Sequence, residues 1–284
     1  MARLLPAAGF QPLTVLLEDG PLREWLERNG SETQVLPAGR FRQVGRTART
    51  IAHLRRLARE LEPAIVLSSA AKGHLYGGSA VLGLHVPEVW MQHGVPERTS
   101  AQERLAALVP TARIACYASS AIAAQKRITP RTAVVKIPGG VPVEQIGGRR
   151  GSGAEIRREL GWEDNPIVGI VARLQPWKGQ ETFLRAAALL HARRPEIRYA
   201  VVGGAILGWE GDYPDRLEQL AADLRIANVV HFAGHQDDVY PWYDALDVAV
   251  HASFGEPFGL ALLEAMAIGT PLVAAADGGP LEIV

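Results

Sequence analysis

Short apolar runs rich in β-branched residues alternate with stretches of helical periodicity along the chain. Such runs are typical of buried parallel strands, and the periodic stretches between them are typical of covering helices. Strands are predicted at Leu13–Leu17, Thr33–Leu36, Ala64–Ser68, Glu88–Gln92, Ile114–Ala118, Ala133–Ile137, Ile167–Ala172, Tyr199–Val202, Val229–Phe232, Val248–His251 and Pro271–Ala274. The predicted helices include Pro21–Asn29, Val44–Leu61, Gln180–Ala192, Pro214–Leu224, Val239–Ala245 and Phe258–Ala267. The pattern predicts an α/β protein with two doubly wound, Rossmann-like domains.

A glycine- and arginine-rich stretch at Gly147–Gly153 interrupts the alternation and has the composition of a linker. It predicts a first domain at 1–143, a hinge at 144–165 and a second domain at 166–284. Two such sheets would bind a ligand in a cleft at the carboxyl ends of their strands. The first residues have the pattern of a helix end, and the chain stops a few residues into a helix that starts at Gly279. We therefore expect both domains to be incomplete.

Composition excludes several classes of protein. Hydrophobic residues make up 48% of the 284 residues, which argues against disorder. Lys plus Arg equals Asp plus Glu at 30 each, so no net field favours nucleic acid. With a single cysteine and no apolar run of the ~18–20 residues needed to span a bilayer, the expectation is a cytoplasmic protein.

Two cations follow the strand predicted at Ile167–Ala172. Arg173 and Lys178 come between this strand and the helix that follows Gly179. Side-chain cations beside the free N–H groups of a helix start favour an anion such as a phosphate. The alternative is a pair of solvated surface cations. The spacing does not match a P-loop, so it does not support nucleotide hydrolysis of that kind.

A second cluster of chemistry contains Glu256 and Glu264, in Phe254-Gly-Glu-Pro-Phe-Gly-Leu-Ala-Leu-Leu-Glu-Ala-Met-Ala. Glu256 is predicted in a loop between Gly255 and Gly259, and Glu264 two turns into the next helix. The neighbours of Glu264 are apolar, so an unpaired carboxylate there would be costly. A glycine-rich loop that opens a helix, with two carboxylates, can hold hydroxyl groups and a phosphate together.

These motifs resemble the C-terminal domain of the retaining GT-B glycosyltransferases of family 4. The resemblance covers residues 166–284, in family order. It rests on Ala172-Arg-Leu-x-x-x-Lys-Gly179, Val202-Gly-Gly204, Val230-x-Phe-x-Gly234, Asp247-Val, the two-glutamate motif and Gly278-Gly279-x-x-Glu282-Ile-Val. It implies a retaining hexosyltransferase, with a role in polysaccharide biosynthesis. The implied donor is a nucleoside-diphosphate sugar, used without a cofactor or a bound metal, and the acceptor is a glycan, a lipid-linked molecule or a small molecule.

The resemblance also implies roles for individual residues. Arg173 and Lys178 would bind the donor diphosphate, Glu256 the transferred sugar and Glu264 the ribose. Gln236 falls where the family's loop approaches the nucleobase. The remaining donor-site positions are Gly255 and the amides of residues 257 to 260, namely Pro257, Phe258, Gly259 and Leu260.

The first domain is similar to the family's acceptor domain. Val89-Trp-Met-Gln-His93-Gly matches a strand-end histidine that in the family lies near the reacting sugar. His93 is therefore predicted to contact the donor sugar at the bond that breaks; the alternative is a histidine in an ordinary turn. The strand and glycine-rich loop that open the family's first domain have no counterpart here. A non-catalytic or inactive nucleotide-sugar-binding fragment therefore stays open, as do an NDP-sugar epimerase and a phosphorylase, although neither of these enzymes has a motif here.

Three other features of the sequence each allow a functional and a structural interpretation. Asp237-Asp238 suggests a metal site, but a cap for the helix at Val239 is preferred. Seven arginines between Arg40 and Arg59 form a basic helical stretch. Its preferred interpretation is a solvated face, and the alternative is peripheral contact with an anionic membrane surface at its inner face. His251, just before the glutamate loop, is expected to have a structural role.

Overall fold

The computed structural model describes residues 4–39, 43–205 and 211–284. The strands are β1 Leu13–Leu16, β2 Glu32–Val35, β3 Val66–Ser69, β4 Glu88–Gln92, β5 Arg113–Cys116, β6 Val134–Lys136, β7 Ile167–Val171, β8 Arg198–Val202, β9 Val230–Gly234, β10 Val248–His251 and β11 Leu272–Ala274. The helices are α1 Pro21–Arg28, α2 Val44–Leu61, α3 Ala70–Val81, α4 Ala101–Ala106, α5 Ser119–Ile128, α6 Val143–Gly147, α7 Ala154–Glu159, α8 Gln180–His191, α9 Tyr213–Asp223, α10 Tyr240–Ala245 and α11 Leu260–Ile268. Every strand predicted from the sequence is present, with ends shifted by at most two residues.

The chain divides into two units. The first contains residues 1–116 and 123–135, and the second contains residues 117–122 and 136–284. The stretch predicted as a hinge, 144–165, contains α6 and α7, which pack against α11 and α10 of the second unit. The division into domains at 143 and 166 stays a prediction, as does the cleft between the domains.

The first unit holds a two-stranded parallel sheet with the order β1-β2 and a four-stranded sheet with the order β3-β4-β5-β6, in which β3, β4 and β5 run parallel. The apolar run Ile65-Val66-Leu67, in the strand predicted at Ala64–Ser68, was expected to be buried, and that expectation is wrong, since even Val66 is only half-buried. Ile65 and Leu67 are 41% and 42% exposed. The reason is position in the sheet: β3 is an edge strand, so one side of it has no neighbouring strand in this sheet.

The second unit holds one five-stranded parallel sheet with the order β11-β10-β7-β8-β9. Successive side chains of a strand point to opposite faces, and β8 shows this with Tyr199 and Val201 on one face and Ala200 and Val202 on the other. The first pair packs with α8 and α9 in one apolar core. The second pair packs with α10 and α11 in another. Helices on both faces of a parallel sheet make this unit doubly wound, as predicted.

Candidate functional site

The strand order of the second unit places a crevice at one edge of its sheet. From β7 the chain moves outward through β8 to β9, and it then returns to pair β10 on the other side of β7. The connections that leave the carboxyl ends of β7 and β10 therefore diverge to opposite faces. Ligands of doubly wound sheets bind at such a switch point. The loops that carry Lys178 and Glu256 follow these two strands.

The loop after β7 is shaped to bring Lys178 to the crevice. A 3₁₀ turn at Pro176–Lys178 ends at Gly179, which has a φ of 79° and leads directly into α8. A Cβ at Gly179 would collide with the backbone oxygen of Ala252, in the loop after β10. A glycine is thus required both by the left-handed backbone and by the close approach of the two loops. The amide of Phe254 donates to the carbonyl of Trp177 at 2.8 Å and joins the loops a second time.

Lys178 and Glu256 form an ion pair across this junction. Lys178 Nζ donates to Glu256 Oε2 at 2.6 Å, and only 13% and 9% of the two side chains are exposed. His251 Nε2 lies 3.3 Å from the same carboxylate oxygen. The ammonium group of Lys178 also lies 4.0 Å from the centre of the Trp177 ring, a cation–π contact. The structure therefore brings together two of the predicted donor-site residues.

The protonation of this pair is set by burial and by the hydrogen bonds. Burial acts to raise the pKa of Glu256, but hydrogen bonds from His251 and Lys178 outweigh it, and the pKa falls to about 2. Burial lowers the pKa of Lys178, and the Glu256 carboxylate opposes this effect. Arg173, which is exposed, lies close enough for its charge to lower the pKa of Lys178 further. A dianionic ligand at this position would meet two cationic side chains.

The Glu256 loop is held by the segment that follows β11. The amide of Gly255 donates to Asp277 Oδ2 at 2.6 Å, and the amide of Gly279 donates to the carbonyl of Glu256 at 2.8 Å. A Cβ at Gly278, whose φ is 69°, would collide with the same carbonyl. These contacts fix the backbone of Glu256, so that its carboxylate is aimed at Lys178.

One part of the predicted amide cradle is wrong on chemical grounds. Pro257 has no N–H group, so it cannot donate to a sugar or a phosphate. The amides that remain candidates are those of Phe258, Gly259 and Leu260, where α11 begins. The Phe258 ring is buried and lies 6.0 Å from the ring of Tyr117. Gly259, with a φ of 106°, is the N-cap of the helix.

Two other predicted donor-site residues of this unit, Glu264 and Gln236, interact with groups other than Lys178 and Glu256. Glu264 is half-buried on α11, and burial raises its pKa, an effect that the nearby Tyr243 hydroxyl partly offsets. Gln236 donates from Nε2 to the carbonyl of Ala233 at 2.7 Å, so its side chain folds back on the end of β9. Asp238 accepts from the amide of Tyr240 at the first turn of α10, which is the capping role that the sequence favours.

His93 belongs to the first unit and follows β4. Its Nε2 lies 2.7 Å from the hydroxyl of Ser69, the last residue of the neighbouring β3. Partial burial of the ring lowers the pKa of His93. Gln92, which is buried below it, accepts at Oε1 from the amide of Gly94 at 3.4 Å and donates to Glu103 at 2.9 Å. The position of His93 is thus fixed in two ways: Ser69 of β3 contacts its ring, and Gln92 of β4 binds the amide of the next residue, Gly94.

Comparison with known proteins matches this architecture. Residues 153–284 match the family described as Glycosyl transferases group 1. The matched residues all lie in the second unit and make up just under half of the chain. Among curated relatives, the chain is 41% identical over 132 residues to D-inositol 3-phosphate glycosyltransferase of Thermobispora bispora; the alignment covers 44% of this chain and 31% of the relative. The matched part thus spans about a third of that protein.

Solved structures extend the likeness beyond the group 1 domain. HepE of Anabaena in complex with UDP and glucose has a TM-score of 0.84 and 27% identity, with 100% of this chain and 79% of HepE covered. A glycosyltransferase of Rickettsia africae shares the fold at a TM-score of 0.83 and 16% identity, with 100% of this chain and 76% of that chain covered. These matches confirm the predicted α/β fold and the resemblance to GT-B glycosyltransferases. Assignment to family 4 stays a prediction.

Sequence reasoning missed one polar contact of a predicted site residue in each unit. His251 was expected to be structural, yet its ring touches the Glu256 carboxylate. Ser69 was not singled out, although it pairs with His93. Ser69 and His93 are 24 residues apart, and only their positions at the ends of adjacent parallel strands could have linked them. His251 ends the strand before the glutamate loop, which was the signal available for it.

The described residues contain neither a metal-binding cluster nor a membrane-spanning helix. Within residues 4–39, 43–205 and 211–284, no three histidine, cysteine or acidic side chains lie close enough together to hold a metal ion. In the same ranges no helix is both long and apolar enough to cross a bilayer. Of the basic stretch, Arg40 and Arg42 lie outside the described residues. Arg55 donates to the carbonyls of Ala80 and Leu82 and thereby ties α2 to the end of α3. Metal independence and membrane contact both stay predictions.

Proposed function

We propose that this chain is a glycosyltransferase whose group 1 domain binds a nucleoside-diphosphate sugar and transfers the sugar with retention of configuration. The observation that carries the proposal is the ion pair of Lys178 and Glu256 at the switch point of the five-stranded sheet. A buried ion pair is weak evidence for stability, because desolvation offsets much of its attraction. Its position in a ligand crevice, beside the starts of α8 and α11, supports a role in binding instead.

The two charges suit the two halves of the donor. Lys178 and the nearby Arg173 would hold the diphosphate and stabilise the negative charge that develops on it as it leaves. Glu256, which is ionised at neutral pH, would accept hydrogen bonds from the sugar hydroxyls and fix the ring for attack. Glu264 on α11 would bind the ribose hydroxyls, and Gln236 would lie at the base. The free amides from Phe258 to Leu260 would complete the cradle.

Retention follows from where the acceptor attacks. His93, with its pKa lowered by burial, would contact the donor sugar at the bond that breaks. Glu256, the carboxylate paired with Lys178, is assigned to the sugar hydroxyls and is therefore not offered as a covalent nucleophile. We therefore infer a front-side displacement in which the leaving phosphate assists the acceptor, without a covalent intermediate and without a metal.

Two likenesses guide the choice of substrates. HepE of Anabaena was solved with UDP and with UDP-glucose, which makes UDP the first nucleoside diphosphate to test. Curated relatives are named for D-inositol 3-phosphate, which makes a phosphorylated polyol one acceptor to include beside glycans and lipid-linked sugars. A cytoplasmic location suits a donor of this kind.

The first experiment is calorimetric titration of the full chain with UDP, UDP-glucose and GDP-mannose. Lys178→Ala should weaken diphosphate binding by about 100-fold, since a charge-assisted contact is lost and Glu256 is left unpaired. Arg185→Ala removes an exposed cation from α8 and serves as the matched control, with an expected change of less than about twofold. If wild type and Lys178→Ala bind the nucleotides with equal affinity, Lys178 does not bind the diphosphate.

Product analysis then separates the candidate activities. Transfer of labelled sugar to an acceptor, with the anomeric configuration kept, supports the glycosyltransferase. Donor binding without turnover would indicate a nucleotide-sugar-binding module, and a changed sugar on intact UDP would indicate an epimerase. Either of the last two results contradicts the proposed activity but leaves the donor site in place.

A further inference from the structure

His251 is the second donor to the Glu256 carboxylate. It ends β10, its side chain is 7% exposed, and its Nε2 lies 3.3 Å from Glu256 Oε2 and 3.5 Å from the Ser253 hydroxyl. The carbonyl of His251 accepts from the amide of Ala275 at 2.9 Å, so its backbone is fixed by the segment after β11. The ring is therefore held between the sheet and the glutamate loop.

The neighbours of the ring determine its tautomer. An ionised carboxylate can only accept hydrogen bonds, so the nitrogen that faces Glu256 must carry the proton. This assigns a proton to Nε2, and in the neutral ring Nδ1 is then an acceptor. Nδ1 is buried and has no hydrogen-bond partner among the described residues.

A small cavity lies next to the ring. Its lining includes His251, Tyr243, Leu262 and Ala265, and it leaves about 10 Å³ for the centre of a water molecule. This volume is close to the least that one water requires, provided that polar partners are present. The Tyr243 hydroxyl is also buried. It lies near the Glu264 carboxylate, but the two groups do not meet the full distance and angle criteria of a hydrogen bond. With the hydroxyl proton of Tyr243 directed to Glu264, a water here would donate to two acceptors, the Tyr243 oxygen and Nδ1 of His251.

Lys178 can pair either with the Glu256 carboxylate or with the diphosphate of the proposed ligand, whereas His251 can pair only with Glu256. If Lys178 turns from Glu256 to a bound diphosphate, the carboxylate loses its shorter hydrogen bond. His251 cannot follow the phosphate, because its ring is enclosed. It can therefore keep the carboxylate in place for the sugar at the moment when Lys178 leaves.

We propose that His251 is a positioning residue of the donor site, which holds Glu256 through Nε2–H while one buried water bridges its Nδ1 to the Tyr243 hydroxyl. The inference rests on the proposed function, since it assigns the sugar to Glu256 and the diphosphate to Lys178. It links the two glutamates of the motif beneath α11, from Glu256 through His251, the water and Tyr243 to Glu264.

The test compares two ligands on the full-length chain. UDP lacks the sugar, so the ratio of the UDP and UDP-glucose dissociation constants reports the sugar contacts, and its change in a variant reports the part that the variant removes. His251→Leu should lower that ratio by about tenfold, because the carboxylate loses a charge-assisted hydrogen bond, and should change UDP affinity by less than about twofold. His251→Gln keeps an N–H donor and should restore part of the ratio. His191→Leu, at the far end of α8, is the matched control and should leave the ratio unchanged.

Each outcome decides a different point. If wild-type chain binds neither ligand, the proposed function fails. If it binds UDP-glucose more tightly than UDP and His251→Leu keeps the full ratio, or if both affinities fall equally, the positioning role is wrong. Nitrogen-15 NMR of the wild-type protein tests the geometry without a substitution: an Nε2–H tautomer supports the proposal and an Nδ1–H tautomer overturns it. A crystal structure should show one water within hydrogen-bond distance of both Nδ1 and the Tyr243 hydroxyl, and its absence would remove the link to Tyr243.

Discussion

The two units differ in where they keep their polar groups. In the second unit the two faces of the sheet are packed with branched and aromatic side chains such as Ile170, Leu184 and Trp242, and its buried charged pair lies at the edge of the sheet, in the loops. In the first unit polar side chains lie inside. His74 and Glu88 are fully enclosed between β4 and α3.

This difference separates two uses of a buried charge. A pair at a sheet edge can exchange its partner for a ligand, whereas a pair in the interior can only hold neighbouring elements together. His74 has an acceptor for each ring nitrogen, with Glu88 Oε1 at 3.0 Å and the Val109 carbonyl at 3.2 Å, and it stacks on Trp90 at 4.6 Å. We expect the interior pair to act on stability alone, and the edge pair to act on both stability and ligand binding.

The largest expected effect comes from breaking the interior pair. Glu88→Ala should destabilise the first unit by about 4 kcal/mol, because it leaves a buried histidine without its acceptor. Cys116, the single cysteine, is buried in β5 of the same unit, and burial, together with the Glu103 charge, raises the pKa of its thiol to about 11. Its reaction with a thiol reagent at neutral pH therefore measures how often this unit opens.

The matched control is an exposed pair of the same unit. Glu60→Gln removes the partner of Arg56 on the surface of α2 and should change stability by less than about 0.5 kcal/mol. UDP binding by the second unit should survive Glu88→Ala. If thiol reaction is no faster in Glu88→Ala than in Glu60→Gln, the interior pair does not hold the unit together.

The next effect concerns the edge pair and pH. The pKa of Glu256 is about 2 in the folded protein, against an ordinary value of 4.5. Because folding lowers this pKa, the stabilisation is fully present above about pH 5 and is lost as the pH falls toward 2. The lowered pKa corresponds to a contribution on the order of 3 kcal/mol. Urea unfolding between pH 3 and 6, followed by fluorine NMR of fluorotryptophan at second-unit positions such as Trp242, should show the loss for the second unit.

Two variants distinguish Glu256 from the other carboxylates. Glu256→Gln should be less stable at pH 6 and should have a flatter pH profile than wild type. Glu282→Gln removes an exposed carboxylate whose pKa is also lowered, chiefly by the amide of Ser119, and its profile should stay close to that of wild type because solvent screens the charge. A wild-type profile in Glu256→Gln would show that the edge pair contributes no pH dependence.

The difference between the units also governed what the sequence could predict. Apolar runs such as Ile167–Val171 identified every strand, because buried parallel strands leave a local signal. The exposure of Leu67 was missed, since a run of apolar residues does not say which strand is at an edge. The helices at 143–147 and 154–159 were predicted as a hinge because glycine and arginine dominate the stretch between them.

The candidate site divided in the same way. Lys178 and Glu256 were predicted because each lies in a short motif beside a strand end, and the fold brings those ends together. The contact of His251 with Glu256 depends on how the loop turns, and no pattern of five residues specifies that. The roles assigned to Glu264 and Gln236 rest on resemblance and stay predictions.

The smallest expected effect tests whether the units unfold separately. Ala70, where β3 meets α3 in the first unit, has a φ of 58°, and Arg225, after α9 in the second unit, has a φ of 59°. Both are strained, because a side chain disfavours this backbone conformation. Ala70→Gly and Arg225→Gly should each stabilise by about 0.5–1 kcal/mol, after allowance for the entropy that glycine adds to the unfolded chain.

These two variants form a matched pair, one in each unit. Ala70→Gly should slow the reaction of Cys116 with the thiol reagent and leave the unfolding transition reported by the second unit's tryptophans in place. Arg225→Gly should do the reverse. If each variant shifts both signals equally, the units unfold as one cooperative body. The interior pair and the edge pair would then both contribute to the stability of a single folding unit.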